Sequence, residues 1–191
     1  LKQLYDQHGK IAIAMEMFER DVQPVLDQYL AGEISEGEFL EKSRPWNNYR
    51  GAYKPLVEFA KEKGLPVLAM NVPRRYAARV AREGEKGLAG LSEEEQTFIA
   101  DTLMALDDDY KKRFMDQMAG ADKPMPMGRI DPENLYKAQV IKDDTMAESI
   151  VKFLQNHPEY KIISYEGSFH SAYNLGIVKK VKLFNSELKT M

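Results

Sequence analysis

Residues 11–18 read IAIAMEMF, an apolar run that contains one acidic residue, Glu16. A short apolar run of this kind is typical of a parallel strand whose two faces are covered by helices. Similar runs at 66–70 (PVLAM) and 161–165 (KIISY) predict two more strands, and 177–184 predicts a fourth. Together they predict an α/β fold in which a parallel sheet is flanked by helices.

The segments between these strands carry apolar residues at helical spacing. They predict helices over 1–8, 21–30, 35–42, 49–63 and 74–85, and a long helix from Asp131 to about Leu154. Residues 88–130 depart from the strand–helix alternation, with a helical pattern up to about Met118 and a loop rich in Gly, Pro and Met from 119 to 130. We therefore predict one domain, residues 1–191, with a helical insertion over 88–130.

The composition of the chain excludes several classes of protein and of functional site. The chain has 191 residues, 43% of them apolar, so it can bury a core, which excludes intrinsic disorder for most of it. Its 27 basic and 30 acidic residues give a net charge of −3, which argues against a protein that binds nucleic acid by neutralising phosphates. The absence of cysteine excludes disulfides, thiolate nucleophiles, iron–sulfur clusters and cysteine zinc sites.

Candidate functional residues follow the predicted strands, at the sheet edge where ligands of open parallel sheets bind. Glu16 either lines that crevice or forms a salt bridge with an arginine. Arg74 and Arg75 are either a solvated basic turn or clamps for an anionic group. His170, in Gly167-Ser-Phe-His170, is suited to bind a metal, shuttle a proton or hydrogen-bond a carboxylate, or else it caps a helix or lies in solvent. We expect Glu16, Asn71 and His170 to lie close together.

The long helix carries an unusual stripe: Tyr136, Gln139, Asp143 and Met146. Gln and Asp beside Met do not form an ordinary core face. The stripe indicates a polar network, which either borders a pocket or is a buried structural network.

Four methionines lie close together in the sequence: Met115, Met118, Met125 and Met127. One interpretation is that they fill gaps in the core. The other is that they form an adaptable apolar surface for a partner or a flat ligand.

Several motifs together resemble the ChaN-like family of haem-binding lipoproteins. They are AMEMF at 14–18 with Arg20 and QP at 23–24, WNNYRGAYKPL at 46–56, EFA at 58–60, GLPVLA at 64–69 with NVPR at 71–74, AQ at 138–139 with DDTMA at 143–147, and GSFH at 167–170 with NLGI at 174–177. The resemblance implies a non-catalytic haem-binding protein of iron acquisition, anchored by lipid at the bacterial cell envelope (outer membrane or periplasm). It also implies a homodimer that contacts the membrane only through an anchor outside this chain.

Members of the family begin with a strand that carries G-E-x-H, which this chain lacks. Because the chain begins at Leu1 within a predicted helix, we expect a segment upstream of it. Ser168-Phe169 also replaces the family's more usual Asn-Gly type of pair.

A haem site needs an apolar slot, an axial ligand and partners for the propionates. Without cysteine, the ligand is Tyr, His or Met, and a phenolate suits ferric haem. Tyr110, on a stripe with Phe114 and Met118, and Tyr136, on the polar stripe, are the two candidates. His170 and Arg74 are the candidates for orienting the ligand or a propionate.

Two alternatives remain from the sequence. The first is a metal-dependent hydrolase like the Tiki and erythromycin-esterase-like branches of the same superfamily. In such an enzyme, Glu16 and His170 would hold a divalent metal together with the upstream Glu and His. The second is an α/β domain that binds a partner through its methionine-rich helices.

Overall fold

A computed structural model describes residues 1–120 and 131–191. Its sheet has three parallel strands in the order β2-β1-β3, namely β1 (Ile11–Glu19), β2 (Val67–Asn71) and β3 (Lys161–Tyr165). Ile13 of the central strand is in register with Val67 on one side and Ile163 on the other. Helices flank the sheet, so the predicted α/β fold and its three main strands are confirmed.

The chain divides into two compact units. The first consists of Leu1–Asn71 and Ser149–Gly167 and contains the whole sheet. The second consists of Val72–Glu148 and Ser168–Met191. None of the helices in the described part of the chain has the length and apolarity needed to cross a bilayer.

Helices of the first unit cover a strand that is buried almost throughout. They are α1 (Lys2–His8), α2 (Gln23–Leu30), α3 (Glu36–Ser43), α4 (Tyr49–Ala52) and α5 (Lys54–Lys63). Residues 11–18 of β1 are all buried, which explains the apolar run in the sequence. The predicted helix over 49–63 is interrupted at Tyr53, and a proline in the first turn of α5 marks the new start.

The second unit is helical. It contains α6 (Arg74–Glu83), α7 (Glu93–Thr97), α8 (Asp109–Ala119), α10 (Ile177–Phe184) and the larger part of α9 (Pro132–Asn156). The Asp131 side chain accepts the Glu133 backbone N–H at 3.0 Å, as the predicted cap requires. Most of the loop predicted over 119–130, with Met125 and Met127, lies outside the described residues.

The helical pattern predicted up to Met118 is wrong for residues 98–108, which are not helical. Side chains of α9 accept backbone N–H groups there: Asp144 from Met104 at 2.7 Å, Thr145 from Ala100 at 3.1 Å, and Glu148 from Asp101 at 2.8 Å. These bonds replace the N–H partners that a helix would supply.

The fourth strand predicted over 177–184 is also wrong, because this segment is the helix α10. Its buried residues are Ile177, Lys180 and Val181, which share one helical face. The Lys180 ammonium lies 2.7 Å from Asp144 Oδ1 on α9. That ion pair requires Lys180 to face inward, which alternation along a strand does not predict.

The Gln23 side chain forms hydrogen bonds with backbone groups on the outer edge of β2. Its amide nitrogen donates to the Val67 carbonyl at 2.9 Å, and its amide oxygen accepts the Ala69 N–H at 2.6 Å. β2 lies at the end of the three-stranded sheet, so this edge has no neighbouring strand among the described residues. One amide therefore takes the place of a strand at an otherwise open edge.

We expect Gln23→Ala to lower the free energy of unfolding by about 1–3 kcal/mol, because it leaves a donor and an acceptor of β2 without partners. Chemical denaturation measures the loss. Gln28→Ala, at an exposed position of the same helix, is the matched control and should change stability by less than about 0.5 kcal/mol. Equal losses in the two variants would contradict the edge-capping role.

Candidate functional site

The carboxyl edge of the sheet brings Glu16 and Asn71 together. The Asn71 amide donates to the Glu16 backbone carbonyl at 3.0 Å, and the Glu16 carboxylate accepts the Gly167 N–H at 2.6 Å. Glu16 is buried, so this acceptor role offsets part of its desolvation. The first residue of the GSFH motif thus contacts Glu16. His170 belongs to the second unit, and its proximity to Glu16 and Asn71 stays a prediction.

In the second unit, three predicted site residues form one hydrogen-bonded network around Asp143. The Tyr110 hydroxyl donates to Asp143 Oδ2 at 2.5 Å, and His170 Nδ1 lies 2.5 Å from Asp143 Oδ1. Gln139 Nε2 lies 3.1 Å from the Tyr110 hydroxyl and 3.2 Å from His170 Nδ1. The polar network predicted from the α9 stripe is therefore present.

Tyr110 and Tyr136, the two alternative candidates for the iron ligand, are buried, each only 2% exposed. Burial raises the pKa of Tyr110 well above its ordinary value, and the adjacent Asp143 carboxylate raises it further. Burial likewise raises the pKa of Tyr136, whose hydroxyl donates to the Leu106 carbonyl at 2.8 Å. Both hydroxyls therefore donate within the protein and strongly favour the protonated form.

The loop after His170 places a third tyrosine in solvent. Tyr173 is 74% exposed, and both it and Asn174 adopt left-handed backbone conformations, with φ of 61° and 58°. Such a conformation is uncommon for a tyrosine and persists only where the surroundings impose it. The guanidinium of Arg113, on α8, lies 3.9 Å from the Tyr173 ring centroid. The loop therefore presents a phenol outward beside a cation.

Gly176 closes this loop against the network. Its φ is +54°, and a Cβ atom there would lie 2.3 Å from the His170 carbonyl oxygen and 3.2 Å from Tyr110 Cζ. The backbone of the loop thus passes too close to His170 for any side chain. Because of this contact, the loop, His170 and Tyr110 form one packed arrangement.

Helices α6, α8 and α9 enclose a groove that we call the alanine groove. Its floor and walls are mostly apolar: Ala77, Ala78, Ala81, Phe114, Met118, Leu135 and Ala138. Its volume is about 310 Å³, within the lower range of ligand pockets. Gln139 also lines it, so the groove borders the polar network around Asp143.

Two cationic side chains complete the lining of the groove. Arg74 begins α6, and Lys142 lies one turn beyond Ala138 on α9. Neither has an ion-pair partner among residues 1–120 and 131–191. The groove therefore combines an apolar interior with two cations that are available to an anionic ligand.

The sequence left Arg74 as either a solvated basic turn or an anion clamp, and Met118 as either core or an apolar surface, and both residues line the groove. It missed Lys142 and Tyr173, which belong to no pattern that singles them out. It also missed the alanines of α6. Their signal is a small-residue spacing of i and i+4, at Ala77 and Ala81, which alone is too common to identify a groove.

No group of three or more His, Asp or Glu side chains within the described residues is arranged to hold a metal ion. The metal-binding role of Glu16 and His170 therefore stays a prediction.

Comparisons with known proteins identify relatives of the chain. A family model described as "Haem-binding uptake, Tiki superfamily, ChaN" matches residues 1–181. Among solved structures, "Cofacial heme binding to ChaN of Campylobacter jejuni" matches with a TM-score of 0.66 and 18% identity, over 96% of this chain and 67% of that chain. At this identity, the likeness concerns the fold. No curated protein matches the chain.

We expect Gly176→Ala to lower the free energy of unfolding by about 3 kcal/mol or more, because its methyl group would overlap the His170 carbonyl. Gly90→Ala is the matched control, since Gly90 also has a positive φ (+74°) but no atom near its Cβ position. The control should lose only about 1–2 kcal/mol, the cost of the left-handed conformation. Similar losses in the two variants would show that the close contact with His170 is unimportant.

Proposed function

The chain belongs to the haem-binding ChaN family of the Tiki superfamily, and we propose that its second unit binds haem in the alanine groove. The observation that supports this proposal is the apolar lining of the groove together with Arg74 and Lys142, which have no ion-pair partner among the described residues. Haem is the cargo in this proposal.

The residues present suit a flat, apolar macrocycle that carries two carboxylates. Phe114, Met118 and Leu135 supply bulky apolar walls, and the alanines leave the space between them. Arg74 and Lys142 supply charge-assisted hydrogen bonds for the propionates. His170 is a further candidate for orienting a propionate or the iron ligand, through the Gln139 side chain that it shares with the groove.

Three tyrosines are candidates for the ferric iron ligand. Tyr110 and Tyr136 remain the candidates from the sequence, although a phenolate at either position is disfavoured by burial. Tyr173 carries the exposed hydroxyl, and its neighbour Arg113 precedes the groove residue Phe114 on α8. Its exposure and its position beside α8, which also contributes Phe114 to the groove, support Tyr173 as the third candidate.

At the level of the cell, we propose a non-catalytic role in haem acquisition at the bacterial envelope, with lipid anchoring outside this chain. We also propose that the protein acts as a homodimer. A groove of about 310 Å³ holds only part of a large macrocycle, and a second copy would cover the remainder.

Titration with haemin tests the groove directly. We expect the wild-type chain to give a Soret band that saturates, and Ala81→Phe to weaken binding by about tenfold or more, or about 1.4 kcal/mol. The phenyl ring would occupy the space left by Ala81, which is a half-buried groove residue on α6. Ala52→Phe, at an exposed position of α4, is the matched control and should bind like the wild type.

Circular dichroism of both variants shows whether the fold is retained. Absence of any saturable Soret band from the wild-type chain would overturn haem binding. Unchanged affinity in a folded Ala81→Phe variant would instead place the haem outside the groove.

The absorption spectrum of the ferric complex identifies the ligand. We expect the wild-type complex to show the high-spin spectrum of phenolate ligation, and one of Tyr110→Phe, Tyr136→Phe and Tyr173→Phe to abolish it, because that variant removes the ligating oxygen. The other two variants serve as controls for the first. An unchanged spectrum in all three variants would exclude these tyrosines as ligands.

A further inference from the structure

Among the described methionines of the second unit, Met118 is the one that lines the alanine groove. It is half-buried and lines the alanine groove with Phe114, on the wall contributed by α8. Met115, three residues earlier, packs instead against the cluster of Tyr110, Tyr136 and Val140. Met146 is fully buried. The Met118 thioether is therefore accessible to small solutes at the surface where we place the ligand.

We propose that Met118 is a site of oxidation by hydrogen peroxide, and that its sulfoxide weakens ligand binding in the alanine groove. This inference rests on the proposed haem-binding function. In the reaction, the thioether sulfur gains one oxygen atom and is oxidised by two electrons, and the peroxide is reduced to water. No carbon–sulfur bond breaks, and methionine sulfoxide reductases reverse the modification.

Because of the composition of the groove, oxidation of Met118 has a large effect on ligand binding. A sulfoxide oxygen is a strong hydrogen-bond acceptor, whereas the wall contributed by α8 offers no side-chain donor, since the donors of the groove lie on α6 (Arg74) and α9 (Gln139 and Lys142). A flat apolar ligand laid against this wall would cover the new polar group without satisfying it, which opposes binding. The same change at a solvent-exposed methionine such as Met191 leaves the oxygen hydrated and has no such effect.

The experiment treats the purified chain with hydrogen peroxide and measures sulfoxide at each methionine by peptide mass spectrometry. We expect Met118 to be oxidised well before the buried Met15, Met70 and Met146. Haemin titration should then show an affinity lower by about tenfold. Subsequent treatment with methionine sulfoxide reductase should restore the affinity.

Met118→Leu and Met115→Leu are matched variants on the same helix. Leucine keeps the apolar volume but has no sulfur to oxidise. The Met118→Leu variant should bind haemin equally well before and after peroxide, whereas Met115→Leu should lose affinity as the wild type does.

An equal loss of affinity in peroxide-treated Met118→Leu would overturn the proposal and assign the effect to other methionines. Oxidation of Met118 without any change in haemin affinity would also overturn it, while haem binding itself would stand. By contrast, an untreated wild-type chain that binds no haemin would refute the proposed function, and the peptide mapping would still report how readily Met118 is oxidised.

Discussion

The second unit depends on a series of buried hydrogen-bond acceptors along one helix, α9. Asp143, Asp144, Thr145 and Glu148 are almost completely buried. A carboxylate removed from water is costly unless donors surround it, so each one requires partners from neighbouring segments. Those partners come from α8 through Tyr110, from α10 through Lys180, from the non-helical segment 98–108 through its backbone, and from the GSFH motif through His170.

This dependence explains why some of the fold could be predicted from the sequence and some could not. β1 was predictable because a strand buried on both faces is apolar along most of its length, as residues 11–18 are apart from Glu16. α10 was not predictable, because its IVKKVKLF sequence also suits a strand, and only the buried ion pair of Lys180 with Asp144 shows which side chains face inward. The prediction of a helix over 98–108 failed for the same reason, since backbone donors of this segment bind side chains 40–47 positions away.

Some residues of the candidate site could likewise be predicted from the sequence, and others could not. Gln139 and Asp143 were visible in the sequence as polar residues on one helical stripe, and the stripe is where their network forms. Lys142 looks in the sequence like any lysine on a helix surface. That it lines the same groove as Arg74 of α6 emerges only from the fold. Tyr173 was missed because its exposure and its left-handed backbone are properties of the folded loop that no sequence pattern marks.

The network and the groove are connected through α8. Tyr110, Phe114 and Met118 are spaced by four residues and therefore lie along one face of that helix. The first is bound to Asp143, and the other two form a wall of the groove. Asp108 anchors the start of the helix, since it accepts the Tyr110 and Lys111 N–H groups and pairs with Lys179 of α10 at 2.5 Å. The position of the apolar wall is thus set by buried polar bonds at the other end of the same helix. Filling the groove with a ligand and removing a hydrogen bond to Asp143 would both act on α8. We therefore expect the affinity of the groove for its ligand and the stability of the polar network to change together.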